Sequence, residues 1–272
     1  MTRKNIKNSE IFFFDNLLKY NDIADHFIAA RKGGFSKAPY HSLNLALHVG
    51  DNAALVRKNR RMIHSLLGAC SNAYVYMNQT HGSHIMDILK GDAKIISNKK
   101  GKSETVFDDT DALVTAQKNI YLLTLIADCV PVLLLDKQRK VIAVVHAGWR
   151  GTVNEITKKT VHLMISRYHC DPSNIIAGIG PSIGPCCFEV ENDTVEKFKK
   201  IYSEDDQVIQ RRKNGKNVVD LWKANYLQLK RAGVPRANVE VSQICTACST
   251  DLFYSVRKEK ITGRFGVGIM LK

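Results

Sequence analysis

Residues 120–146 read IYLLTLIADCVPVLLLDKQRKVIAVVH, and this stretch decides the fold. It holds three apolar runs, Ile120–Ile126, Pro131–Leu135 and Val141–Val145, separated by short breaks. A run that is apolar at every position, not at every second one, belongs to a strand covered on both faces. Pro131–Leu135 and Val141–Val145 are therefore expected to be central strands, and Ile120–Ile126 is a further strand-like run. Working outward, strand-like runs recur at Ala73–Met77, Leu113–Thr115, Ile175–Ile179, Val239–Gln243 and Phe265–Leu271. Helical patterns cover Ala54–Leu67, Asn154–Tyr168, Thr194–Tyr202 and Leu221–Ala232, with Asp193 and Asp220 as expected N-caps and Gly233 as a stop signal. Helix and strand are interspersed without a linker, repeat or low-complexity tract, so residues 1–272 are expected to form a single domain. The polar segment Lys90–Asp109 is expected to be a surface excursion.

A chain that is 44% hydrophobic and 24% charged has the composition of an ordinary folded protein, which excludes disorder. The longest apolar stretch, Tyr121–Leu135, is interrupted by Asp128 and Pro131, so no membrane span is expected. The N-terminal apolar run Ile11–Phe14 is cut by Asp15 and Asn16, too early for a secretory signal, and the expected location is the cytoplasm. Seven scattered cysteines (70, 129, 170, 186, 187, 245, 248) fit free thiols better than a disulfide scaffold. The net charge of +14 invites anionic partners. Its runs at Arg57–Arg61, Lys99–Lys102, Lys197–Lys200 and Gln210–Lys216 lack interleaved aromatics and read as solvated faces, so no specific nucleic-acid partner is expected. Nothing in the pattern sets an oligomeric state.

Three polar residues stand where apolar runs end: His81 after Ala73–Met77, Cys129 between two runs, and His146 at the end of Val141–Val145. Strand ends deliver distant side chains to one rim. Two imidazoles and a thiolate suit zinc and leave a fourth position open for catalysis. The same residues also suit a nucleophilic Cys129 activated by His146 or His81, with Asp128 as an orienting group. The turn AlaGlyTrpArgGlyThr (147–152) feeds a helix and offers backbone N–H groups and Arg150 to an anion. GlyIleGlyProSerIleGlyPro (178–185) lacks the Lys-Ser/Thr ending of a nucleotide loop and reads as a rigid turn, with Cys186 and Cys187 as packing residues. Cys245 and Cys248 form a CxxC with no second pair of its kind, and read as structural thiols.

The ordered motifs GlyGlyPheSer (33–36), ProTyrHisSerLeuAsnLeu (39–45), HisValGlyAsp (48–51), AsnGlnThrHisGly (78–82), AspAlaLeuValThr (111–115), AlaAspCysValProVal (127–132) and HisAlaGlyTrpArgGly (146–151) run through most of the chain. GlyProSerIleGly (180–184), AspLeu (220–221), CysThr (245–246), PheTyrSerValArg (253–257) and GlyArg (263–264) continue the series. Together they resemble the multicopper-oxidase-like, laccase-domain family of purine nucleoside phosphorylases. The resemblance implies an α+β fold of stacked mixed β-sheets flanked by helices, with a catalytic metal on His81, Cys129 and His146. It implies phosphorolysis of adenosine, inosine and methylthioadenosine, with adenosine deamination beside it, and purine nucleoside and phosphate as partners. Zinc is the expected metal, and copper the alternative. Asn44 is nominated for substrate contact by its motif, and Arg60 and Arg150 for phosphate or ribose on chemical grounds. The family's other described activities leave two alternatives: a copper-dependent polyphenol oxidase, or a cysteine amidase that edits peptidoglycan precursors. A lone His, Cys, His set has too few histidines for an oxygen-reducing copper cluster. Lys258 after Arg257, and Phe265 and Gly266 after GlyArg, depart from the family pattern at the C-terminal side of the pocket.

Overall fold

The computed structural model describes residues 1–6, 9–67, 73–89 and 104–272. Among these the strands form three sheets. The first runs in the order β1 (Thr2–Ile6), β2 (Ser9–Phe13), β3 (Ala24–Ala29), β16 (Phe265–Leu271), β8 (Ile120–Ile126), β4 (Ala73–Met77), β6 (Glu104–Phe107). The second runs β15 (Val239–Val241), β11 (Ile175–Ile179), β9 (Val130–Asp136), β10 (Val141–Ala147), β7 (Ala112–Thr115), β5 (Ile85–Ile88). A small third sheet joins β12 (Glu189–Val190), β14 (Asn217–Val219) and β13 (Ile209–Arg211). Both large sheets are mixed: β8 pairs antiparallel with β16 and parallel with β4, while β11 pairs antiparallel with β9 and parallel with β15.

The uniformly apolar runs are explained by what each face meets. Along β10, Ile142 and Val144 enter the core between the two large sheets, while Val141, Ala143 and Val145 enter the core beneath the helices. Alternate residues of β9 divide the same way, with Leu133 and Leu135 between the sheets and Val130, Val132 and Leu134 toward the helices. The first sheet is likewise covered twice. Leu122 and Ile126 of β8 face the second sheet, and Tyr121, Leu123 and Leu125 face α2 (Ala53–Leu66), which lays Ile63 on them. Each fully buried aliphatic side chain contributes about 1.5–3 kcal/mol, so these strands hold the layers together. The far side of the second sheet is closed by α4 (Ile156–Tyr168) and α6 (Leu221–Arg231), through Val161, Met164, Ala224 and Leu229. The α+β fold of stacked mixed sheets flanked by helices is thus observed. Among the described residues no helix is long and apolar enough to cross a membrane.

Several boundaries differ from expectation. The helix expected over Asn154–Tyr168 is α4, which starts two residues later at Ile156; a short helix that was not expected, α3 (Trp149–Val153), precedes it, and Glu155 in a left-handed conformation (φ 55°) separates the two. The helix expected at Thr194 is α5 (Asn192–Lys199), capped at Glu191, so Asp193 lies in the first turn and not at the cap. Asp220 does cap α6, accepting from the Lys223 N–H, and Gly233 (φ 92°) follows its end. Of the expected excursion Lys90–Asp109, residues 90–103 lie outside the described residues, and Glu104–Phe107 is a strand parallel to β4. Lys99–Lys102 and Cys70 also lie outside them. Within the basic run Arg57–Arg61, Arg60 is buried and not solvated.

Candidate metal centre

His81, Cys129 and His146 meet at one rim, as strand ends allow: His81 in the turn after β4, Cys129 between β8 and β9, and His146 near the end of β10. Their ligand atoms all lie within 4.8 Å of one another. His146 is buried, Cys129 partly exposed and His81 open to solvent, so the group has a sealed back and an accessible front. The two imidazole rings stand nearly perpendicular, with centroids 4.9 Å apart. Gly148 borders the group closely: a β-carbon there would lie 3.1 Å from His81 Cδ2 and 3.2 Å from Cys129 Sγ.

The residue that organises the group is Asp111, at the start of β7 and fully buried. Its Oδ1 accepts from His146 Nδ1 at 2.8 Å and from the His81 backbone N–H at 3.1 Å, and its Oδ2 accepts from the Gly82 N–H at 2.6 Å. One carboxylate therefore fixes both histidine segments. With Nδ1 committed to Asp111, Nε2 of His146 is the atom left to face the cavity, the arrangement seen in carboxylate–histidine–metal sites. Asp128, expected as an orienting group for the cysteine, serves its backbone instead. It is left-handed (φ 89°) and held by Thr246 Oγ1 and the Arg257 N–H, each at 2.7 Å. The orienting acid is Asp111, which carried a motif signal in AspAlaLeuValThr but no chemical one.

Electrostatics favour a charged pair. Burial opposes ionisation of Cys129, but the adjacent His146 charge and hydrogen bonds from His146 and His81 outweigh it, and the thiol is drawn below its ordinary range. Burial likewise opposes charge on His146, and the Cys129 thiolate with the Asp111 carboxylate reverses the balance, raising it. A metal ion would take the place of the second His146 proton, and two imidazoles with a readily ionised thiol are a donor set that suits one.

The group forms part of a cavity of about 570 Å³, a size that suits a small organic ligand. Arg150, Arg257, Lys260 and Arg264 bring positive charge to its wall, and Trp149, Phe188 and Leu125 bring apolar surface. Arg150 stacks over Trp149 at 4.5 Å. Of the three expected contact residues only Arg150 lines this cavity. Asn44 is fully buried and committed elsewhere: its Nδ2 donates to Ala46 O and Asp51, and its Oδ1 accepts from the Ala46 and Arg264 N–H groups. It supports the arginine segment from beneath. Arg60 is buried against Glu104 at 2.7 Å, donates to Leu45 O and lies over Tyr76. Neither side chain lines the cavity. Arg257 and Arg264 line the cavity but were not nominated, although their motifs, PheTyrSerValArg and GlyArg, were legible.

The cysteines also differ in part from expectation. Cys186 is exposed, whereas Cys187 is partly buried and packs against the core beneath the helices, and both meet Cys245 and Cys248 with all four sulfurs within 4.8 Å.

Stacked mixed sheets carry at their strand ends a histidine–cysteine–histidine group that could hold a metal ion, inside a cationic cavity, the layout of an enzyme. Residues 25–272 match the model of a family described as multi-copper polyphenol oxidoreductase laccase, and the chain belongs to that family. It is 35% identical over 267 residues to a purine nucleoside phosphorylase of Bacteroides thetaiotaomicron, covering 97% of each chain. It is 38% identical over 235 residues to adenosine deaminase RL5 of an unknown prokaryotic organism, covering 86% of this chain and 88% of the other. The crystal structure of YlmD from Geobacillus stearothermophilus superposes with a TM-score of 0.88 at 32% identity, over 99% of this chain and 98% of that one.

Proposed function

We propose that the chain is a metal-dependent purine nucleoside phosphorylase acting on adenosine, inosine and methylthioadenosine, with a companion adenosine deaminase activity. The observation that carries this reading is the His81, Cys129, His146 group placed in the same cavity as Arg150, Arg257, Lys260 and Arg264. The names of the similar proteins point the same way. In this reading the four cations bind phosphate, and Trp149 and Phe188 offer apolar faces to the purine. A phosphate oxygen bonds to the anomeric carbon as the bond to the base nitrogen breaks, and the base leaves with a proton. In the companion reaction water bonds to C6 of adenine and ammonia leaves. His81, Cys129 and His146 would hold zinc, which supplies Lewis-acid character and makes a nearby water more acidic. Asp111 keeps His146 in the tautomer that leaves Nε2 toward the cavity.

Residues 1–272 are read as one domain of a cytoplasmic enzyme, in keeping with cysteines that are free wherever described. Among the described residues the metal-capable groups hold two histidines in total, which disfavours a multi-copper oxidase. A second reading is favoured by one observation. A thiol of lowered pKa beside His146, itself held by Asp111, has the layout of a cysteine hydrolase, and a cysteine amidase would use it as nucleophile. Assaying inosine and adenosine with and without phosphate, before and after chelation, separates the two. Phosphate-dependent release of free base that is lost on chelation supports the phosphorylase. Absence of nucleoside turnover, with an amidase activity that survives chelation and is abolished by thiol alkylation, supports the amidase.

A further inference from the structure

Outside that centre, the described residues hold one other metal-capable cluster: Cys186, Cys187, Cys245 and Cys248. Its two halves lie about sixty residues apart in sequence and are joined by the fold. A β-bridge pairs Ser182 with Cys245, and the Thr246 N–H donates to Ser182 O at 3.1 Å. The turn after Gly184 and the turn opened by Cys245 are thereby laid side by side.

We propose that this cluster is a second, structural metal site, a tetrathiolate zinc separate from the catalytic centre. Cys248 Sγ lies 3.4 Å from Cys187 Sγ and 3.6 Å from Cys186 Sγ. A disulfide needs about 2.05 Å, whereas four sulfurs at about 2.3 Å from one zinc stand about 3.8 Å apart along each tetrahedral edge. The cluster is drawn in to the second spacing. An iron–sulfur cluster would place its own irons and sulfides between the cysteines and spread them wider. Backbone donors converge on one of the four sulfurs. The Gly184 N–H donates to Cys245 Sγ at 3.2 Å, and the Cys248 N–H is directed at the same sulfur. Such N–H···S bonds are the kind that steady a metal-bound thiolate. A zinc with four thiolates carries two negative charges. Arg212 donates to the carbonyls of Pro185 and Cys186, and Arg257 to those of Cys187 and Glu189, so two guanidinium groups are fixed on the same loop to offset them.

The position gives the metal a task. Thr246, next to Cys245, holds the Asp128 carboxylate, and the Ile183 N–H donates to Asp128 O at 2.8 Å. Phe188, next to Cys187, lines the catalytic cavity. Four ligands close the coordination shell, so this zinc fastens the cavity wall beside Cys129 and leaves no position for substrate.

The test counts and characterises zinc in full-length protein purified without oxygen, wild type and Cys129→Ala. The expected wild-type content is two equivalents. Cys129→Ala is expected to keep one, and X-ray absorption at the zinc edge of that variant is expected to show four sulfur neighbours at about 2.3 Å. Cobalt(II) loaded into Cys129→Ala should give the visible absorption of a tetrahedral tetrathiolate, and Cys186→Ser with Cys248→Ser should abolish it. Cys129→Ala keeps its four other ligands, so the result does not depend on the doubly substituted chain folding. A metal-free Cys129→Ala protein, a retained zinc with nitrogen or oxygen ligands, or a disulfide among these cysteines in the anaerobic protein would overturn the proposal. Because the catalytic metal is counted separately, either reading can fail without the other.

Discussion

Replacing Asp111 by Asn keeps the shape of the side chain and removes the charge on which the metal centre is organised. In the structure this carboxylate accepts from His146 Nδ1, the His81 N–H, the Gly82 N–H and Thr80 Oγ1. An amide has one acceptor oxygen, so its NH2 group must confront at least one of these donors in a site with no access to water. Loss of an outer carboxylate on a metal-ligating histidine costs about 10–100-fold in metal affinity, or about 1.4–2.7 kcal/mol. An unsatisfied buried donor costs a further ~1–3 kcal/mol of folding stability. Competition against a chelator of known affinity gives the first quantity, and urea unfolding of the metal-free protein gives the second. Asp111→Asn is expected to lose affinity by that factor and to shift the unfolding midpoint downward. Unchanged affinity in a folded Asp111→Asn protein would refute the reasoning, because it would mean that His146 does not need its orienting acid.

Gly148→Ala should lower metal affinity about tenfold by crowding His81 and Cys129, while its φ of −63° accepts alanine and leaves the unfolding midpoint nearly unchanged. Arg150→Ala should raise KM for phosphate by about 10–100-fold, the weight of a charge-assisted hydrogen bond, and steady-state kinetics at varied phosphate would reveal it. His26 tests acid stability. It is buried and its Nε2 accepts the Phe14 N–H at 2.9 Å, and burial lowers its pKa from 6.5 to about 4. Above pH 6.5 the neutral ring is unopposed. As pH falls from there toward 4 the unfolded chain takes up the proton first, so stability drops by up to about 3 kcal/mol. Denaturant unfolding at stepped pH should show this slope, and His26→Gln should flatten it.

The centre of the fold was legible because β9 and β10 are covered on both faces, which leaves the uninterrupted apolar runs Pro131–Leu135 and Val141–Val145. The edges were not. β1 exposes Arg3, Lys4 and Asn5, and β3 carries Asp25 and His26 inside a strand, so neither shows a clean period. At the site, His81, Cys129 and His146 were legible as polar residues closing apolar runs. Asp111 was not, since its partner His146 lies 35 positions away and only the pairing of β7 with β10 brings them together. Residue type alone did not reveal that Asn44 and Arg60 are buried away from the cavity lining. Both have the chemistry of a ligand contact, but burial and local partners decide what a polar side chain does. The four-cysteine cluster was invisible for a similar reason, since it exists only where two turns meet through the Ser182–Cys245 bridge.

The most direct test of the central claim compares wild type with Cys129→Ala for metal content and for release of free base from inosine and adenosine with and without phosphate. The account predicts that the variant loses one equivalent of metal and all phosphate-dependent release. A variant that keeps the wild-type metal content, or a metal-loaded wild type that turns over no nucleoside, would contradict it.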